Sequence, residues 1–267
     1  MSKSTFVVSC PIDTYSGYGS RSRDVVKALI ELDKYDVKIM PQRWGNTPMG
    51  FIKDNPEWSF LESHLLPTPQ LTVQPDIWCQ ITVPNEFQQV GKYNIGITAG
   101  IESTIAPAEW VEGCQRMDLI LGSSKHTIDI LRRSKFEKRD QNTQQVQGVI
   151  EWTKDSEVLF EGANTNTYKP DTKPCMVDFN VKEDFAYLFV GHWIGNPPIG
   201  EDRKNITLLI KGFYETFKNK TKKPALILKT SQVGSSYMDR DRIIKMIQSI
   251  KSTVKSKSQY NGNEFNL

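Results

Sequence analysis

Thr5-Phe-Val-Val-Ser9 runs into Ser16-Gly-Tyr-Gly-Ser-Arg-Ser-Arg-Asp24, and Phe185-Ala-Tyr-Leu-Phe-Val-Gly191 runs through a Gly/Pro loop into Arg203-Lys-Asn-Ile-Thr-Leu-Leu-Ile-Lys-Gly-Phe213. Each stretch reads as an apolar strand, a glycine-containing turn and a helix carrying basic residues. Two such units predict an α/β fold of two Rossmann-like lobes, the second one incomplete, each holding one substrate. Between them the signals keep alternating, which favours parallel sheets with helices on both faces.

Working outward, Phe6-Val-Val precedes a helix from about Ser20 to Leu32, whose apolar face is Val25, Val26, Ala28, Leu29 and Leu32. Strands follow at Asp36–Met40, Asp76–Ile81, Tyr93–Thr98 and Asp118–Gly122. Helices are expected at Pro107–Gln115 and, capped by Ser124, up to about Ser134. Pro41–Pro75 reads as loops with short helical pieces, and Lys135–Ser156, polar and Gln-rich, as a surface insertion. Val158–Phe160 reads as a short strand. The loose stretch Asp171–Glu183 is the expected hinge between an acceptor domain, 1–170, and a partial donor-binding domain, 171–267. The second domain shows strands 185–191 and 225–230 and helices 203–219 and 238–254. Two strands make a poor independent sheet. Truncation, or completion by another chain, is therefore the expectation.

The small excess of 34 basic over 31 acidic residues gives +3, far short of the concentrated charge of a nucleic-acid binder. An anionic small ligand needs only two or three placed cations. The four cysteines, Cys10, Cys79, Cys114 and Cys175, form no CxxC pair and read as free thiols, which suits a cytoplasmic location. No apolar run is long enough to span a bilayer, and no signal core follows Met1; peripheral membrane contact stays open.

Gly17 and Gly19 flank Tyr18 between a strand and a helix, where a turn brings backbone N–H groups close to an anion or sugar hydroxyl. A dinucleotide fingerprint would want a small residue where Ser22 stands and an acidic residue where Met40 ends the second strand. A dehydrogenase is therefore disfavoured. Arg203 and Lys204 open the helix after the loop Gly195–Gly200, and Lys229 lies near the end of Ala225–Thr230. Ligands of parallel α/β sheets lie beyond the carboxyl ends of the strands, so these cations suit a diphosphate. Glu102 follows a strand end and is the candidate for acceptor binding or proton transfer; capping the next turn is the plainer role. His192, after Gly191, and Tyr18 are expected to line the cleft. No metal site is expected: HExxH, a Walker loop, a GxSxG elbow and paired cysteines are all absent.

The ordered series resembles the GT-B glycosyltransferases, in particular the large retaining class numbered family four. Gly17–Leu29 resembles its first glycine loop and helix. Glu102-Ser-Thr, Pro107, Trp110-Val111, Arg116-Met-Asp118 and Gly122–Ser124 resemble the stretch in which an acidic residue, a Pro, a Trp and an Asp precede a strand ending in Ser. Gly162–Pro170 resembles the interdomain segment, and Phe189–Gly191 with Arg203–Asn205 the entry to the donor domain. The resemblance implies a nucleotide-diphosphate sugar as donor substrate, with no other cofactor and no obligatory metal. It also implies a glycan, lipid or protein acceptor, and transfer with retention of configuration. Arg203, Lys204 and Lys229 would steady the diphosphate, approached by Gly17 and Gly19. The family's later acidic motif around Gly-Phe-Gly has no counterpart after Lys229, and Glu264 lacks its context. A non-catalytic nucleotide- or sugar-binding remnant is the alternative.

Overall fold

The computed structural model describes residues 3–140, 142–170, 178–218, 220–232 and 236–257. The chain divides into two compact units, Met1–Tyr168 and Lys169–Leu267. In chain order the first contains β1 (Ser4–Cys10), α1 (Gly17–Glu31), β2 (Tyr35–Pro41), the single turn α2 (Phe51–Asp54) and a 3-10 stretch, Pro56–His64. β3 (Ile77–Ile81), a 3-10 turn (Pro84–Glu86), β4 (Tyr93–Thr98), α3 (Ala108–Gln115), β5 (Leu119–Gly122) and α4 (Lys125–Arg133) follow. The unit closes with β6 (Phe136–Arg139), β7 (Val146–Ile150) and β8 (Asp155–Val158).

Six strands form one parallel sheet in the order β2-β1-β3-β4-β5-β8. Strand alternation sorts β1: Phe6, Val8 and Cys10 pack with Val26 and Ile39 on the α1 face, while Val7 joins Trp78, Val111, Ile120 and Ile128 on the α3–α4 face. Burial on both faces explains the unbroken apolar run Phe6-Val-Val at the centre of β1. Beyond α1 that face is less covered, leaving an apolar groove of about 400 Å3 floored by Ile95, Ile97 and Leu121.

Two sequence expectations shift here. The polar stretch 135–156 is no plain surface insertion. It holds the antiparallel β6–β7 hairpin, and β8 then pairs with β5 as the sixth strand, starting at Asp155 instead of Val158. β8 is an edge strand and mostly exposed, so it carries no apolar pattern to betray it. Helix α1 begins at Gly17, three residues before the expected Ser20, because the Ser16 hydroxyl caps it by accepting from Gly19 N at 2.9 Å.

The second unit contains β9 (Ala186–His192), α5 (Ile206–Phe217), β10 (Ala225–Ser231) and α6 (Tyr237–Lys257). β9 and β10 pair in parallel from Ala186↔Ala225 to His192↔Ser231, and no further strand joins them among the described residues. Phe189, Leu226 and Leu228 pack under both helices with Trp193, Ile210 and Tyr214. The other face, where Leu188 pairs with Ile227 and Val190 with Lys229, carries no helix of this unit among the described residues: Leu188 is 67% exposed and Val190 60%. The architecture is α/β, a six-stranded parallel sheet flanked by helices followed by a smaller β-α-β-α unit.

Candidate functional site

The strand order of the first unit reverses between β1 and β3, since the chain leaves β1 for β2 on one side and returns to β3 on the other. In open parallel sheets the crevice outside the carboxyl ends at such a point is where ligands bind. Tyr18 occupies it. Its hydroxyl stands 3.1 Å from the Thr98 hydroxyl at the end of β4 and accepts from Ala99 N at 3.1 Å. Its ring stacks on Trp44, just after β2, at 4.2 Å between centroids. Burial pushes the Tyr18 phenol up; the bonds from Thr98 and Ala99 oppose this, and the charges of Glu161 and Glu102 add smaller upward pushes.

Glu102 is exposed in the loop that follows β4. That loop is anchored by α4 and the turn before it: the Thr127 and Ser123 hydroxyls both donate to Ala99 O, at 3.0 and 2.9 Å. Gly100 lies at φ +84, and a Cβ there would fall 2.3 Å from the Thr127 side chain. Glu161, Trp44 and Thr98 were missed by the sequence reading. Trp44 stands in a stretch that looks like plain loop, and Glu161 follows an exposed edge strand whose start the sequence places three residues late.

The two glycines separate. A Cβ on Gly17 would meet nothing within 4 Å, so the backbone there is open to approach. Gly19 has no positive φ; instead its Cβ would sit 2.4 Å from Thr14 O and 3.0 Å from Pro11 O. Its lack of a side chain serves the loop's own packing. Arg23 fixes the same loop from below. Buried over the Phe51 ring at 3.4 Å, its guanidinium donates to Ile12 O at 2.8 Å and Thr14 O at 3.0 Å. Burial lowers its pKa, opposed by Asp24 and Asp13.

In the second unit Arg203 and Lys204 precede the helix and do not open it, since α5 begins at Ile206 after Asn205 in the left-handed region. The buried Asp202 carboxylate accepts from Ile206 N at 2.5 Å, Thr207 N at 3.1 Å and the Thr207 hydroxyl. The chain's own carboxylate thus occupies N–H groups that an anion would otherwise seek. Lys229 is exposed on the helix-free face, in register with Val190. His192 and Ser231 end the strands on that same face, 3.1 Å apart from ring Nδ1 to hydroxyl. On the helix side an open cavity of about 460 Å3 at the end of β10 is lined by Thr230, Ser236, Asp239 and Arg240.

Among the described residues no group of His, Cys, Asp or Glu is arranged to hold a metal ion, and no helix is long and apolar enough to cross a membrane. Cys10, Cys79 and Cys114 are free and buried, and burial pushes the Cys10 and Cys114 thiols up to about 12 and Cys79 further in the same direction. They are unreactive in the folded chain. Cys175 and Glu264 lie outside the described residues.

No family model matches the chain, and no curated protein or solved structure is detectably similar to it.

Proposed function

We propose that the chain is a glycosyltransferase of the GT-B kind, moving a sugar from a nucleotide-diphosphate sugar with retention of configuration. The observation that carries this reading is the Tyr18 crevice at the strand-order reversal, where an open glycine and a stacked aromatic pair lie beside the loop that carries Glu102. An aromatic face flanked by acceptor oxygens suits the apolar face and hydroxyl rim of a sugar acceptor. In this reading Glu102 serves that acceptor. The donor belongs to the second unit, with Lys229, Arg203 and Lys204 supplying positive charge to the diphosphate. With the first-turn N–H groups of α5 engaged by Asp202, the lysines and arginine carry the anion by charge.

A second reading is a nucleotide- or sugar-binding remnant completed by a partner chain. The helix-free apolar face of β9 and β10 favours it.

The test is thermal stabilisation by a panel of nucleoside diphosphates and their sugars, repeated with Lys229→Ala, followed by a sugar-transfer assay on any donor that binds. At a ligand concentration 100 times Kd, stabilisation of about 2.7 kcal/mol is expected and should vanish in the variant. No stabilisation by any nucleotide contradicts the donor assignment. Binding without transfer to any acceptor selects the remnant.

A further inference from the structure

On the α1 side of the six-stranded sheet the connections leave a slot. α1 lies over β1 and β2, the chain passes from β3 to β4 through a 3-10 turn, and α3 and α4 pack on the opposite face. No helix of this unit among the described residues therefore covers the α1 side of β4 and β5, and Ile95, Ile97 and Leu121 form the floor of a groove of about 400 Å3. Val25, Ala28 and Leu29 of α1, with Leu32 at its end, are the wall, and Leu32 is 54% exposed. Parallel sheets are covered on both faces as a rule, so an open apolar floor calls for an occupant.

The rim decides what fits. Arg21 ties α1 to the segment after β8, donating to Phe160 O at 3.2 Å and Leu159 O at 2.5 Å, and Arg21 and Leu159 both line the groove. A helix is about 10 Å across and would need the slot open along its length. The Arg21 tie closes one end to a helix, whereas a single hydrocarbon chain can stop short of it. The volume falls within the range of small-molecule pockets, about 300–1,000 Å3, and the apolar lining with few polar groups is theirs too. Asp24, one turn on from Arg21, also borders the groove, and no ion pair joins the two among the described residues, since Arg21 is turned to the carbonyls. One charge of each sign at the rim gives an ionic head no net attraction. The Asp24 carboxylate accepts only, and a hydroxyl supplies a donor without carrying a charge out of water.

We propose that this groove binds a single aliphatic chain with an uncharged hydroxyl head, the chemistry of a medium-length primary alcohol, its chain between α1 and the β4–β5 floor and its hydroxyl donating to Asp24. The inference stands apart from the glycosyltransferase reading: the groove lies on a face of the sheet, the Tyr18 crevice beyond the carboxyl ends of its strands.

The test titrates the chain with 1-hexanol, 1-octanol and 1-decanol by calorimetry, with decanoate for comparison. Binding should saturate at one site per chain and tighten about fourfold with each methylene. Decanoate, repelled by Asp24, should bind about tenfold more weakly than decanol, and Asp24→Asn should close that gap. Ala28 and Leu32 are exposed, so Ala28→Trp and Leu32→Trp should each fill the groove with the fold kept, verified by circular dichroism, and weaken decanol more than about tenfold. A diazirine-bearing decanol should crosslink to peptides of α1, β4 and β5, a readout that needs no variant. No saturable binding, equal binding by the folded variants, or labelling outside those peptides overturns the proposal. Decanoate bound as tightly as decanol would overturn the uncharged head. A chain that sediments as a dimer and takes up no alcohol would give the groove to a second copy and overturn the proposal as well.

Discussion

The first unit buries both faces of its central strands, while the second covers one face of two. Both begin with the same strand-turn-helix idea, yet they solve the helix start differently. In the first, Ser16 caps α1 and Arg23 and Gly19 clamp the loop, leaving Gly17 open. In the second, Asp202 fills the first turn of α5 itself. The comparison teaches that a glycine turn before a basic helix is a topological device first. Whether it meets a ligand depends on which N–H groups the chain has already used.

The largest break of this contrast should come from Gly19→Val, whose side chain would push into Thr14 O and Pro11 O. Overpacking at backbone atoms that the clamped loop holds in place should destabilise the first unit by about 3 kcal/mol. Urea unfolding followed on that unit should show it, and an unchanged midpoint would mean that the loop yields freely.

Alkaline pH should come next. The thiols of Cys10 and Cys114 titrate at about 12 when folded and at about 8.5 when unfolded. Their contribution is therefore full below about pH 8.5 and is lost as pH rises toward 12, roughly 1 kcal/mol per thiol by pH 9. Cys10→Ala and Cys114→Ala should each flatten the stability-pH curve in that window. Peptide-resolved alkylation should find both thiols protected until the first unit unfolds.

Asp202→Ala should destabilise the second unit by about 2 kcal/mol, since a buried cap with three partners is lost. Circular dichroism in urea should place that loss in the helices of the second unit. A shift of both units together would mean that they unfold as one.

The smallest effect is expected on the open face. Leu188→Gln should change stability by less than about 0.5 kcal/mol, because the side chain is already mostly in water. A loss of several kcal/mol would mean that this face is covered in solution.

Much of the fold was legible because buried parallel strands announce themselves: β4 falls on the expected Tyr93–Thr98, and β1, β3 and β9 within a residue or two. The hairpin was not, and β8 was expected three residues late, at Val158–Phe160, because exposed edges need no apolar pattern. The site was half legible. Tyr18 and Glu102 were found from strand ends, where topology puts loops at a rim. Trp44 and Glu161 come from distant segments that only the sheet order brings together. Gly19 was given the wrong reason, since crowding by Thr14 leaves no trace in a local sequence. Asp202 went unnoticed beside Arg203 and Lys204, although an Asp shortly before an apolar helix is a capping signal.

The most direct measurement is hydrogen–deuterium exchange, resolved by peptide, with and without nucleoside diphosphates. The account predicts slow exchange in β1, β3 and β4 under both conditions. It predicts fast exchange in β9 and β10 that slows on nucleotide addition, with the loop 193–204 protected alongside. Equal protection of the two sheets without nucleotide, and no change in β9, β10 or that loop with it, would contradict both the contrast and the donor assignment.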